Sequence, residues 1–278
     1  MGKRPFLNIC VALGFVFLYA PILALVILSF NESKLVTVWG GFSFKWYGVL
    51  FHSKEIINAA ILSFEIAALT ASIAVVFGTL IAIVLVRYRK FRGRMLFSLM
   101  ATAPLVMPEV ITGLSLLLLF VGMESVIGWP AGRGMVTLTI AHATLTMAYA
   151  AVIIQSRLTE MDHSIEEAAM DLGARPARVY FSVTLPILAP ALVAAWLLAF
   201  TLSLDTLVLS SFVSGPGYST LPMIIFSKVK LGVSPEVNAL ATIVITIVSL
   251  GILTATITLR RQERKRIADE QQSLATNE

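Results

Sequence analysis

The sequence predicts an all-α protein that crosses a membrane six times, with both ends on the cytoplasmic side, and three observations carry that prediction. The first is composition. Of 278 residues 58% are hydrophobic and 13% charged, with a mean hydropathy of +0.88, whereas a soluble domain is about 45–50% apolar and about 25% charged. The second is that six apolar runs reach the roughly 20 residues that a helix needs to cross about 30 Å of hydrocarbon. The third is that Lys and Arg crowd into alternate loops. No Pro/Ser/Gly-rich linker divides residues 1–278, so a single membrane domain is expected. The net charge of +5 resides in short clusters between apolar runs, a pattern of membrane topology and not of nucleic-acid binding. Cys10 is the single cysteine, which excludes an intrachain disulfide.

The spans follow in order. Leu7–Phe30 comes first, after Lys3 and Arg4. A cleaved signal peptide is the alternative, but the run is long and lacks a small-x-small cleavage site, so a retained helix is expected. The loop Val36–Phe51 carries Trp39, Phe42, Phe44, Trp46, Tyr47 and Phe51. These read either as an aromatic belt at the membrane surface or as a docking surface for an external partner. Ile57–Val86, Met95–Val121, Met135–Ser156, Ala191–Val213 and Asn238–Leu259 complete the set, and a polar tail, 260–278, follows. With the N-terminus inside, 15 of the 21 Lys and Arg residues fall on the cytoplasmic side and 6 outside. The excess on one side fixes the orientation.

The cytoplasmic loop 158–190, after Arg157, carries helix signals of its own. Ser164 and Glu167 have the spacing of a capping box, with Ser164 as N-cap. Glu166 and Glu167 then lie in a first turn, where the helix dipole favours acids. Ala168, Ala169, Met170 and Leu172 propagate the helix, and Gly173 suits a left-handed stop. Pro176 opens a second short helix at its first position, which Leu185-Pro186 is expected to end.

Glu167-Ala168-Ala169, Gly173 and Val183-Thr184-Leu185-Pro186 resemble the EAA loop of binding-protein-dependent ABC importer permeases, whose pattern is E-A-A, three residues, G, nine residues, I-x-L-P. The spacing agrees throughout, and Val183 in place of Ile is the one departure. The resemblance implies a type I importer permease fold in a bacterial inner membrane. It also implies that the loop, through Glu166, Glu167, Ala168, Ala169, Gly173, Leu185 and Pro186, fits a groove on a separate ATPase dimer, with Glu167 facing a basic residue there. ATP would then be consumed by that partner and no cofactor held by this chain, in keeping with the lack of a G-x-x-x-x-G-K-[ST] phosphate loop. A second permease subunit, most simply a different chain, and a periplasmic binding protein are the further implied partners, besides membrane lipid.

The resemblance covers nearly the whole chain. Ser29-Phe30-Asn31, Trp39-Gly40-Gly41-Phe42, Lys45-Trp46-Tyr47, Ser203-Leu204-Asp205 and the stretch Val233 to Thr242 are similar to polyamine permeases. Ala103 to Pro108 and Gly128-Trp129-Pro130 are most similar to the putrescine-importer branch. Thr206 stands where that branch usually has a second Asp, so spermidine or another small cation stays an alternative substrate.

Four ionisable residues fall inside spans: Glu65, Glu109, His142 and Asp205. A charged acid at mid-bilayer costs about 2.5–3.5 kcal/mol on insertion scales and therefore faces protein or water. Counting from the cytoplasmic ends of their spans, Glu109 and Asp205 lie about 21 Å in, at 1.5 Å per residue. Glu65 and His142 lie about 11 Å from the outer side by the same rise. Three acids in one layer suit a cationic substrate, and Glu109, Asp205 and Glu65 are the candidate pathway residues. The alternative is helix packing, and it is the expected role of His142. A proton-coupled secondary transporter is the rival class, but the two halves show no inverted repeat. No His-Glu-x-x-His, Gly-x-Ser-x-Gly or paired-Cys motif marks a hydrolase or a metal site.

Overall fold

The computed structural model describes residues 5–35, 38–88, 90–231, 235–250, 253, 254 and 257. Lys3, Arg4, Val36, Arg89, Val233-Ser234, the end of the sixth expected span and the tail 260–278 lie outside these residues. Among the described residues every regular element is helical, and the one β-bridge joins Asn31 to Phe42. In chain order the helices are α1 (Pro5–Leu28), α2 (Lys45–His52), α3 (Lys54–Arg87), α4 (Arg94–Val106), α5 (Glu109–Ile127) and α6 (Met135–Glu160). They continue as α7 (Ser164–Asp171), α8 (Pro176–Val179), α9 (Leu185–Asp205), α10 (Val208–Val213), α11 (Leu221–Leu231) and α12 (Pro235–Leu250). A π turn, Tyr180–Thr184, joins α8 to α9.

Five of the described helical stretches are long and apolar enough to cross a membrane: Phe6–Leu28, Lys54–Arg87, Glu109–Ile127, Met135–Glu160 and the joined stretch Pro176–Asp205. Two expected spans change form. Met95–Val121 is not one helix, because Met107 takes an extended backbone (ψ 134°) and separates α4 from α5. The cause is Pro108, whose ring disfavours helical geometry in the residue before it. Pro104, by contrast, sits inside α4 without ending it. Ala191–Val213 starts earlier, at Leu185, and breaks after Asp205, where Thr206 turns extended (ψ 100°).

The chain forms two compact units, residues 1–54 with 227–278, and residues 55–226. In the first, α1 is apolar and exposed along most of its length. Past its end the chain ties a knot around the fully buried Asn31. The Asn31 amide Nδ2 donates to the Val38 carbonyl at 2.8 Å, and its Oδ1 accepts from the Gly40 N–H at 2.8 Å. Trp46 Nε1 donates to the Asn31 carbonyl at 2.8 Å. Phe30 stacks on Phe42 at 5.1 Å between ring centres and meets Phe44 edge-on at 5.3 Å. Trp46 is thus a buried core residue of this loop and not part of an aromatic belt, whereas Trp39, Phe42, Phe44 and Phe51 are exposed.

In the second unit α6 packs along α9, α4 lies against α6, and α5 carries α10. The α3–α6–α9 contact is made of small residues, with Ala71, Ala74, Ala82, Ala150, Ala195 and Ala199 all buried around Ile154, Leu158 and Leu188. Small side chains let helix backbones approach closely in a membrane, where dispersion and not the hydrophobic effect holds helices together. The approach is tightest at Gly78, where a Cβ would stand 2.9 Å from Ala150 Cβ and from the Ala151 nitrogen. Gly78→Leu is therefore expected to destabilise the unit by about 1–3 kcal/mol through overpacking. Gly122→Ala on α5, where a Cβ meets nothing within 4 Å, serves as the control. Thermal melting of both variants in detergent checks this, with a lower midpoint expected for Gly78→Leu alone.

Candidate functional site

The two helix breaks open on one cavity. Glu109 is the first residue of α5, immediately after the Met107-Pro108 break, and Asp205 is the last residue of α9 before the break at Thr206. Both line a cavity of about 260 Å³, together with Pro104, Leu105, Met107, Leu202, Thr206 and, from α6, Leu145 and Tyr149. The two acids that the sequence placed at equal depth on different spans thus share one space. The α5 N-terminus adds a favourable field for the Glu109 carboxylate. Thr206 brings no charge, and its hydroxyl donates to the Leu202 carbonyl at 2.7 Å. That back-bond, four residues along, competes with the helix ladder and accompanies a break that no proline marks.

The other two intramembrane candidates lie elsewhere. Glu65, on α3, is exposed, as Glu109 and Asp205 are, but does not line this cavity. His142 is 1% exposed and both its ring nitrogens are occupied, Nδ1 with Ser203 Oγ at 2.8 Å and Nε2 with Ser210 Oγ at 2.9 Å. Ser210 gives its own proton to the Thr206 carbonyl at 2.6 Å, so Nε2–H is the donor to Ser210 and Nδ1 accepts from Ser203. His142 therefore clamps α6 to both sides of the Asp205–Thr206 break.

The loop between α6 and α9 is a second site. α7 spans Ser164–Asp171, but Ser164 is its first residue and not its cap, and the expected capping box does not form. Asp162 does the work instead, its Oδ1 accepting from the Ser164 N–H at 3.0 Å. That hydrogen bond is also the main reason the Asp162 carboxyl sits below its ordinary pKa. Glu167 falls one position further along the helix than a capping box requires, and it meets the side chain of His163, the actual N-cap, with Nδ1 at 3.2 Å. The C-terminal stop forms as expected. Gly173 has φ +86°, its N–H donates to the Met170 carbonyl at 2.8 Å, and the Ala174 N–H to that of Ala169 at 3.1 Å, a Schellman motif.

Pro176 opens α8 as expected. Leu185-Pro186 does not end it. The π turn carries the chain on in helical geometry, with the Leu185 N–H donating to the Tyr180 carbonyl, and Pro186, which has no N–H to place in the ladder, follows directly in the first turn of α9.

The two acids of the loop part company. Glu167 is exposed, whereas Glu166 is 8% exposed and turned inward. Arg87 Nη2 donates to Glu166 Oε1 at 2.7 Å and Thr184 Oγ1 donates to the same oxygen at 2.6 Å. In the sequence Arg87 counted only as a cytoplasmic positive charge and Thr184 only as the variable position of a motif. Ile165, Ala168 and Leu172 are exposed and Ala169 half-exposed, an apolar stripe at helical spacing that ends at Leu172, 90% exposed.

Residues 74–267, which include α6, the loop and α9, match the family described as "Binding-protein-dependent transport system inner membrane component". The chain belongs to this family. Among its relatives, "Putrescine transport system permease protein PotI" of Escherichia coli (strain K12) is 56% identical over 98% of this chain and 96% of its own length. "Spermidine/putrescine transport system permease protein PotC" of Haemophilus influenzae is 45% identical over 88% of this chain and 93% of its own. The fold matches a chain of a bacterial ABC transporter involved in alginate import, with a TM-score of 0.68 at 18% identity over 93% of this chain and 98% of that one. This permease is accordingly an all-helical membrane component of an ABC importer and not an enzyme.

In the permease His142 has the geometry of a packing clamp. His142→Leu strands the buried Ser203 hydroxyl and is expected to cost about 1–3 kcal/mol, seen as a lower thermal midpoint in detergent. His142→Gln, which keeps a donor and an acceptor, is expected to lose less, and uptake per folded molecule is expected to stay near the parental rate in both.

Proposed function

We propose that this permease carries a small polyamine, with putrescine as the favoured substrate, and forms half of the path of an ATP-driven importer whose other half is a second permease. The observation that carries the reading is that Glu109 and Asp205 line one cavity at two facing helix breaks. A diamine holds two positive charges near neutral pH, and moving them through hydrocarbon without counter-charge is costly. Two carboxylates beside broken helices, where unpaired backbone is tolerated only against protein or water, supply that counter-charge. Thr206, with its hydroxyl spent on Leu202, adds no third charge, and spermidine or another small cation is the alternative substrate. The identity to relatives named for putrescine transport supports the same reading.

The α6–α9 loop is the proposed cytoplasmic docking surface for a separate ATPase. The Ile165–Leu172 stripe offers the apolar contact, and exposed Glu167 faces outward beside it. A periplasmic binding protein would deliver the polyamine from the opposite side of the inner membrane.

Glu109→Gln and Asp205→Asn keep volume and hydrogen bonding, so insertion is expected to be normal. Putrescine uptake per molecule of permease is expected to fall by about tenfold or more for each, the scale of one lost ion contact inside a membrane, and further in the double variant. Two single variants that transport at the parental rate would remove the pathway role. At the docking loop, Gly173 has open space around it but a positive φ. Gly173→Val is therefore strained by its backbone and not by crowding. Insertion is expected to persist, and uptake and stimulation of the ATPase to be lost together. Unchanged stimulation would show that the loop is not the coupling element.

A further inference from the structure

Glu166 is set apart from its neighbour Glu167 by direction. It leaves α7 on the inner side, and its Oε1 is held by Arg87 at 2.7 Å and by Thr184 at 2.6 Å, with His163 Nε2 3.9 Å from Oε2. Those partners belong to different elements. Arg87 is the last residue of α3, and Thr184 is the buried last residue of the π turn. Beyond Thr184, α9 runs to Asp205 at the cavity without interruption. One carboxylate therefore joins the helix that would receive the ATPase to the foot of the helix whose far end carries an acid of the proposed substrate path.

The chemistry of the cluster makes it a rigid joint. Hydrogen bonds to an ionised group are short and directional, and a carboxylate out of water cannot release its partners without leaving a charge unpaired. A displacement of α7 must therefore carry Arg87 and Thr184 with it. The π turn is a rare geometry that recurs at functional sites, and it lies where such a displacement would enter α9. The cluster borders a cavity of about 570 Å³, lined among others by Leu80, Tyr88, Met170 and Tyr180, so the joint is not packed in on that side.

We propose that Glu166, together with Arg87 and Thr184, is a positioning cluster that relays motion of α7 through α9 to the Glu109/Asp205 cavity. This rests on the reading that α7 docks on an ATPase, but not on the identity of the substrate.

The test uses the permease assembled with its companion permease and ATPase in proteoliposomes. Cys10 is the one cysteine of this chain, so Cys10→Ser with Leu202→Cys gives this chain a single thiol, on the cavity wall, and its labelling is read on the separated permease band. Its rate of labelling by a water-soluble methanethiosulfonate, with and without ATP and vanadate, reports whether nucleotide-driven closure reaches the cavity. In the parent the rate is expected to change on trapping. Thr184→Val keeps the side-chain shape and removes the hydroxyl, and it is expected to shrink that change roughly tenfold, within the usual range of coupling between sites, with ATP hydrolysis and assembly unchanged. Thr184→Ser is expected to restore the parental response, and Glu166→Gln to resemble Thr184→Val. Should Glu166→Gln fail to assemble, the Thr184 pair decides. The relay is overturned if Thr184→Val keeps the full response, if the parent shows none, or if hydrolysis and assembly fall in step with the response, which a merely structural bond would produce. Putrescine uptake is measured on the same vesicles, and a parent that labels in response to ATP but carries no putrescine contradicts the substrate and leaves the relay intact.

Discussion

A helix broken inside a bilayer exposes N–H and C=O groups that hydrocarbon cannot satisfy, so each break must face protein or water. The second unit of this permease holds two such breaks, one forced on Met107 by Pro108 and one at Thr206. Its other features fall into place around them. Glu109 and Asp205 stand at the broken ends, both exposed, and line one cavity. His142 secures the second break from both sides through Ser203 and Ser210. The Thr206 carbonyl freed there accepts the Ser210 hydroxyl.

Close packing supplies the frame for the breaks. Alanines line the contact of α3 and α6 with α9, and Gly78 admits the backbone of α6 where no side chain would fit. α9 runs from the Glu166 cluster at its foot to Asp205 at its head, with Pro190 inside it. With the proposed docking surface and the proposed substrate cavity at its two ends, one element would give a direct physical route between them, which separate loops would not.

Much of this was legible in the sequence, for physical reasons that can be named. Long apolar runs and the placement of Lys and Arg identify membrane helices, since the bilayer imposes length and charge so strictly. Gly173 and Pro176 mark their turns because positive φ and a missing N–H admit few alternatives. Helical rise alone put Glu109 and Asp205 at one depth. It could not tell that Glu65 stays out of the lining of their cavity, as depth says nothing of direction around a helix. Thr206 gave no warning of a break, since a hydroxyl that bonds back along the helix is compatible with an intact one. The capping register failed by one residue because the helix starts from His163, with the Asp162 carboxylate reaching across it to the Ser164 N–H. The Arg87–Glu166–Thr184 cluster was out of reach, being a contact among residues up to 97 positions apart in the numbering. Trp46 looked like a membrane anchor by type and is a core residue by its bond to Asn31.

The central claim is that this permease passes a small dication through a path that its own broken helices help to line. The most direct measurement is uptake of radiolabelled putrescine and spermidine by cells that lack the chain and by the same cells with it restored. The account predicts that putrescine uptake is lost with the chain and returns with it, requires ATP, and exceeds spermidine uptake at equal concentration. Putrescine uptake that is equal with and without the chain, in cells with no second putrescine importer, would contradict it.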